Sequence, residues 1–229
     1  NTSLVVIKHM LESKREINVI ACGKRPLPCW RTLEEAQEDL KEGVNIWKFA
    51  SDDDPHFVFS AAGDYVTKEV MAAISIVKNE IPDMRLRFVN ITSLSALGMG
   101  HSGCQILRHD LDYYFTTDKK VTINFHGYPQ TLKQVLFDYG VDAERFTIHG
   151  YEESGSTTTP FDMMVRNRTD RYHLVMEAFA AAEEEGVIMV TEKDVLIKKY
   201  EDKLIAHREY IIEHGDDNKE ISEWTWEQH

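Results

Sequence analysis

FVFSAAGDYVTKEVMAAISIVKN, residues 57–79, followed after a short break by RLRFVNIT, residues 85–92, is the stretch on which the fold turns. Apolar and small residues run continuously from Phe57 to Ala62, and Gly63 with Asp64 then punctuates the chain. Apolar positions next recur at helical spacing over about 67–79, and residues 85–92 repeat the strand pattern. Two strands joined through a helix form a parallel βαβ unit, and a strand that is apolar at successive positions belongs in a sheet covered on both faces.

Working outward, the alternation continues. VTINFH at 121–126 is a third strand, a helix is expected over about 130–139, and FTIHG at 146–150 is a fourth strand. A long polar loop then leads to a helix over about 170–185. A final helix over about 193–214 carries Ile197, Tyr200, Leu204, His207 and Ile211 at spacings of three and four, with Gly215 as its stop. Upstream, a short amphipathic helix is expected over 3–13, a strand at 17–21 (INVIA) and a turn at 23–28, where two prolines forbid helix. Thr32 with Glu35 has the spacing of a capping box, and Gly43 is placed to end that helix. The fold class is therefore α/β, three α/β/α layers around a mostly parallel sheet of about five strands. The expected organisation is a connector over 1–55, the α/β unit over 56–190, and a terminal helix and acidic tail over 191–229.

Composition narrows function. Of 229 residues, 42% are apolar and 28% charged, the profile of a globular chain with a core. A formal charge of −13 disfavours nucleic acid and anionic membrane as partners, since phosphate backbones need a basic face. No apolar run is long enough to span a bilayer. Cys22, Cys29 and Cys104 are few, odd in number and without metal-like spacing, which points to a reducing, cytoplasmic setting. A first residue of Asn1 in place of Met suggests a piece of a longer polypeptide.

Gly98, Gly100 and Gly103 satisfy GxGxxG, the pattern of a nicotinamide-dinucleotide loop. That chemistry needs the glycines in the turn leaving a strand, so that the next helix aims its N-terminus at the pyrophosphate. Five residues intervene here, so an ordinary loop fits better. His101, Cys104 and His109 match no usual zinc frame. His126 and His149 each end a strand, where ligands of open α/β sheets bind. Thr157, Thr158 and Thr159 offer hydroxyls ahead of Pro160, and Arg171 follows, so His126, Thr157, Thr158, Thr159 and Arg171 are the candidates for an anion or effector site. No catalytic or metal-ligating set is assigned.

Several stretches together resemble one family. GKRPLPCW (23–30), FSAAGD (59–64), FTTDKK (115–120), FHGYP (125–129) and GYEESGSTTTPFDMMVRNRTDRYHL (150–174) are similar to the C-terminal domain of xylulose-5-phosphate/fructose-6-phosphate phosphoketolases, over about residues 17–185. The region 94–110 and Lys120, where the family often has proline, depart from that pattern. The resemblance implies a transketolase-like, thiamine diphosphate- and Mg2+-dependent lyase. It cleaves a ketose phosphate with inorganic phosphate into acetyl phosphate and an aldose phosphate. The family's cofactor motif is Gly-Asp-Gly, whereas Gly63-Asp64 is followed by Tyr65, so no catalytic or cofactor-binding residue carries over. The implied role is that of a domain inactive by itself, partnered by the other phosphoketolase domains and a homo-oligomer mate. A free-standing small-anion-binding α/β module and a nicotinamide-dependent enzyme are the competing readings. A severed domain would expose apolar residues, with Trp30, Trp47, Phe49, Trp224 and Trp226 as the candidates.

Overall fold

The computed structural model describes residues 1–14, 17–21, 23, 26–99, 106–152 and 154–226. Among these, five strands form one sheet in the order β1-β3-β2-β4-β5. They are β1 (Val44–Ile46), β2 (Phe57–Ala62), β3 (Leu86–Ile91), β4 (Lys120–Phe125) and β5 (Phe146–Gly150). β2 pairs in parallel with β3 and β4, and β4 with β5, while β1 runs antiparallel along β3 with Asn45 opposite Asn90.

The two faces of β2 build two cores. Phe57, Phe59 and Ala61 point to one side, where α3 (Asp64–Glu80) supplies Val66, Val70, Met71, Ile74 and Val77. On the same side α7 (Arg171–Glu184) supplies Leu174, Val175, Ala178 and Phe179. Val58 and Ala62 point to the other side, against Leu111 and Phe115 of α4 (Arg108–Phe115) and Leu132 and Leu136 of α5 (Pro129–Asp138). All six β2 positions are buried, which is why the strand reads as a continuous apolar run. The α/β/α layering and the mostly parallel sheet are as the sequence indicates.

Outside these layers, α8 (Val190–His214) lies against α7 and buries Tyr200 and His207. It starts a turn earlier than its apolar spacing suggests, because the Glu192 carboxylate accepts from the Met189 N–H, and it ends at Gly215 with φ 71°. α9 (Lys219–Ser222) follows and places Ile221 in the core. At the other end, α1 (Thr2–Glu12) packs on α2 (Leu33–Glu42), whose start is the Thr32–Glu35 capping box and whose end is Gly43 in the left-handed region. No helix among the described residues is long and apolar enough to cross a membrane.

Two expectations change. Residues 17–21 lie in no helix and pair with no strand among the described residues, whereas Val44–Ile46, not foreseen, joins the sheet. The five aromatic residues expected on an exposed face pack instead on one another: Trp47 is 3% exposed and meets Trp30, Phe49 and Phe88. Trp224 reaches Trp30, and Trp226 meets Phe49, whose 42% exposure is what survives of that expectation. The tail is thereby strapped over the connector.

Candidate functional site

The carboxyl ends of β2, β4 and β5 converge on a rim built from close backbone approaches. Gly63 leaves β2 at φ 117°, and a Cβ there would overlap that of His126. At Gly150, closing β5, a Cβ would strike the Gly127 carbonyl and the Pro129 ring. These glycines are therefore required by contact, not merely by turn geometry. The His126 N–H continues the ladder to the Ala62 carbonyl at 2.9 Å, and the Tyr151 N–H donates to the Gly127 carbonyl at 2.9 Å. The His126 side chain is exposed, with its ring edge-on to Tyr65 at 5.6 Å. Gly23 of the connector passes so close to Tyr65 that a Cβ would touch its hydroxyl. Gly23 thus lies at the strand ends, against the tyrosine that meets the histidine.

The threonines follow in the loop leaving β5. Thr159 is the N-cap of α6 (Pro160–Arg166), its hydroxyl accepting from the Asp162 N–H at 3.3 Å. The Thr158 hydroxyl donates to Asp162 Oδ2 at 2.6 Å, and Arg166 Nε donates to the same oxygen at 2.8 Å. Burial works against the Asp162 charge, but these donors hold its carboxyl below the ordinary range. Thr157 is exposed. Thr158 and Thr159 thus spend their hydroxyls on the chain itself.

Arg171 is drawn inward instead of toward this loop. Its Nε and Nη2 donate to the two Glu69 oxygens, each at 2.8 Å, its backbone N–H donates to Glu69 Oε2, and Nη2 also reaches the Ile221 carbonyl at 3.3 Å. Phe161 and Trp224 face the guanidinium at 5.7 and 5.4 Å. Burial opposes the charge, yet Glu69 keeps the Arg171 pKa above its usual value. This pair ties α3, α7 and the tail together. Glu69 was not singled out from sequence, although a carboxylate on an otherwise apolar helix face, between Val66 and Val70, signals a buried partner.

His149 joins a second internal network: its Nε2 lies 2.6 Å from Glu177 Oε1, while the Thr122 hydroxyl donates to Glu177 Oε2 at 2.7 Å. Of the candidate site residues, only His126 stands at the rim formed by the glycines. Thr157 presents its side chain to solvent in the adjoining loop.

Among the described residues, the approach to the glycine loop does not have dinucleotide geometry. β3 is followed by a 3-10 turn at Leu94–Leu97 that ends in Gly98 at φ 85°, and the next helix among the described residues, α4, begins at Arg108. Gly100, His101, Gly103 and Cys104 lie outside the described residues. Gly98 lines a cleft of about 390 Å³, and among its described lining residues the one ionised side chain is Asp138, the wrong sign for a pyrophosphate. The nicotinamide reading therefore has no support. His109 is paired with Asp110 at 3.1 Å on the surface.

The family model described as the XFP C-terminal domain matches residues 24–226. The chain belongs to the XFP C-terminal domain family. Among relatives of this XFP C-terminal domain, "Probable phosphoketolase" of Brucella abortus is 36% identical over 230 residues, covering 99% of this chain and 28% of that protein. "Probable phosphoketolase 2" of a Nostoc species is 37% identical over the same coverage. The chain thus spans little more than a quarter of the length of these relatives. Among solved structures, it is similar to transketolase from Leishmania mexicana, with a TM-score of 0.45 and 11% identity over 65% of this chain and 19% of that one.

Proposed function

We propose that this XFP C-terminal domain is the C-terminal part of a cytoplasmic phosphoketolase. The whole enzyme would cleave xylulose 5-phosphate, fructose 6-phosphate or both with inorganic phosphate, giving acetyl phosphate and an aldose phosphate. The observation that carries this reading is the match of 99% of the chain, at 36% identity, to 28% of a phosphoketolase-like protein. Within that enzyme the chain would serve assembly and regulation, partnered by the remaining domains and a homo-oligomer mate.

Thiamine diphosphate and Mg2+ belong, on this proposal, to the rest of the polypeptide. Among the described residues no three His, Cys, Asp or Glu side chains are grouped to hold a metal ion. Asp64, the one acid beside a strand-end glycine that resembles the cofactor motif, is an exposed first residue of α3, and Gly63 is closed off by His126. The residues here do not fit that cofactor, and no catalytic step is assigned to them.

What this chain's own residues offer is a rim at the strand ends, His126 with Tyr65 beside Gly23, where an effector or a neighbouring domain would bear. Thr157 adds an exposed hydroxyl. Thr158, Thr159 and Arg171 would act there only by holding the loop and helices in place, since their polar groups are engaged internally. The division into 1–55, 56–190 and 191–229 is part of the same proposal, with β1, Trp47 and Ala50 of the first stretch built into the sheet and core.

The test is acetyl phosphate formation by the full-length polypeptide supplied with thiamine diphosphate, Mg2+, phosphate and either ketose phosphate. Turnover is expected. Its absence with both substrates, in a protein shown to be folded, would sink the reading.

A further inference from the structure

A cleft of about 290 Å³ opens where α3, the start of α7, α8 and the returning tail meet, and it shares no lining residue with the strand-end rim. Its ionised side chains are Arg171, Lys199, Lys203, Glu80 and Glu220. Three of them are already matched. Arg171 is held by Glu69 behind it, and Lys199 Nζ donates to Glu80 Oε1 at 2.6 Å, an oxygen that also accepts from the Tyr200 hydroxyl at 2.8 Å. Burial works against the Glu80 charge, the hydrogen bonds from Lys199 and Tyr200 hold its pKa down, and Lys203 contributes at a distance through its charge alone. Lys203 and Glu220 are left over: among the described residues neither side chain has a hydrogen-bond or ion-pair partner.

A second, independent observation points into the same cleft. Tyr172 is 6% exposed and lines it, yet its hydroxyl has no hydrogen-bond partner among the described residues. A phenol buried to this degree ordinarily has one. Burial, with Glu220 and Glu69 adding to it and Arg171 opposing, pushes the Tyr172 pKa up to about 12, so the group stands ready as a neutral donor. Lys203 Nζ lies 5.8 Å from the centroid of the same ring, which brings the free ammonium and the free hydroxyl into one neighbourhood.

The unmatched charges select the ligand. A bare anion would face Glu220 and a bare cation would face Lys203, whereas a zwitterion complements both. Ile76 and Trp224 give the same space an apolar wall. We infer that the cleft binds an apolar α-amino acid, with its carboxylate on Lys203 and the Tyr172 hydroxyl, its ammonium on Glu220 and its side chain against Ile76 and Trp224. Lys203 belongs to α8, and Glu220 and Trp224 to the tail, so binding fastens the tail to that helix. The inference goes beyond the phosphoketolase reading and does not depend on it.

The test is calorimetric titration of the full-length polypeptide with L-leucine and L-phenylalanine, and then with 3-phenylpropionate and 2-phenylethylamine, which lack the ammonium and the carboxylate. At least one of the two amino acids is expected to bind with a Kd of about 1 mM or tighter, and each phenylalanine analogue about 10-fold more weakly than phenylalanine. Lys203→Met, Glu220→Gln and Tyr172→Phe should each weaken amino-acid binding about 10-fold, while Lys203→Arg, which keeps the charge, should retain most of it. Lys198→Met, on the same helix but outside the cleft, should leave binding unchanged. Lys203 and Glu220 lie outside the core, so their variants report on binding without putting the fold at stake. Failure of both amino acids to bind the parent protein would overturn the inference. So would an analogue that binds as tightly as phenylalanine, or binding untouched by Lys203→Met and Glu220→Gln.

Discussion

Glu69→Leu should be among the most damaging single changes in this chain. The Arg171 and Glu69 side chains are 4% and 3% exposed, and three of the four hydrogen bonds to Arg171 end on the Glu69 carboxylate. Removing the carboxylate leaves a buried guanidinium with the Ile221 carbonyl as its named acceptor, a situation that costs about 3–5 kcal/mol. Against a total stability of about 5–15 kcal/mol, that is a large fraction. For a chain of this length it corresponds to a fall in Tm of roughly 6–20 °C. The double variant Glu69→Leu/Arg171→Met removes both charges and should recover most of the loss, because a buried pair adds little over apolar packing. Urea unfolding followed by tryptophan fluorescence reads both quantities, since Trp224 faces Arg171 and meets Trp30 at a tilt. A single variant destabilised by less than about 1 kcal/mol, or a double variant no better than the single, would refute the reasoning.

His207 supplies a pH test. It is buried on α8, and neither ring nitrogen has a hydrogen-bond partner among the described residues; Asp217 Oδ1 stands 3.7 Å away. Burial lowers its pKa, while Asp217, Asp162 and Asp170 pull the other way. The unfolded chain then takes up a proton near pH 6.5 that the folded chain resists, so stability present above that pH is lost as pH falls through the folded value. His207→Gln should flatten the stability profile below about pH 6.5 relative to the parent, with His56, lowered by burial and by Arg85, titrating in both proteins. Gly63→Ala should destabilise by several times the cost of Gly186→Ala. Both have positive φ, but Gly186 has open space where its Cβ would go, so about 1–2 kcal/mol of backbone strain is all it incurs. Thermal denaturation separates the two. Thr159→Ala removes the α6 cap and should cost about 1 kcal/mol by urea unfolding.

The strand β2, buried on both faces, was readable from its unbroken run of apolar and small residues, and helix limits were readable where chemistry marks them, as at Thr32–Glu35, Gly43 and Gly215. Val44–Ile46 was missed because three residues carry no detectable period, and its place is set by pairing with β3. INVIA reads as a strand because local propensity favours one, yet it finds no partner among the described residues, and propensity alone makes no sheet. The strand-end rim was legible only through His126. Tyr65 enters because its ring meets His126 and Gly23, and Arg171 leaves because Glu69 lies on the opposing helix face, both consequences of tertiary placement. The aromatic residues expected as an open wound turned inward because the tail returns over the connector.

The most direct test of the central claim is to supply this chain alone with thiamine diphosphate, Mg2+, phosphate and fructose 6-phosphate, alongside the full-length polypeptide, while titrating the cofactor by calorimetry. The account predicts acetyl phosphate and cofactor binding in the full-length protein and neither in the chain alone. Turnover or tight cofactor binding by the chain alone would contradict it.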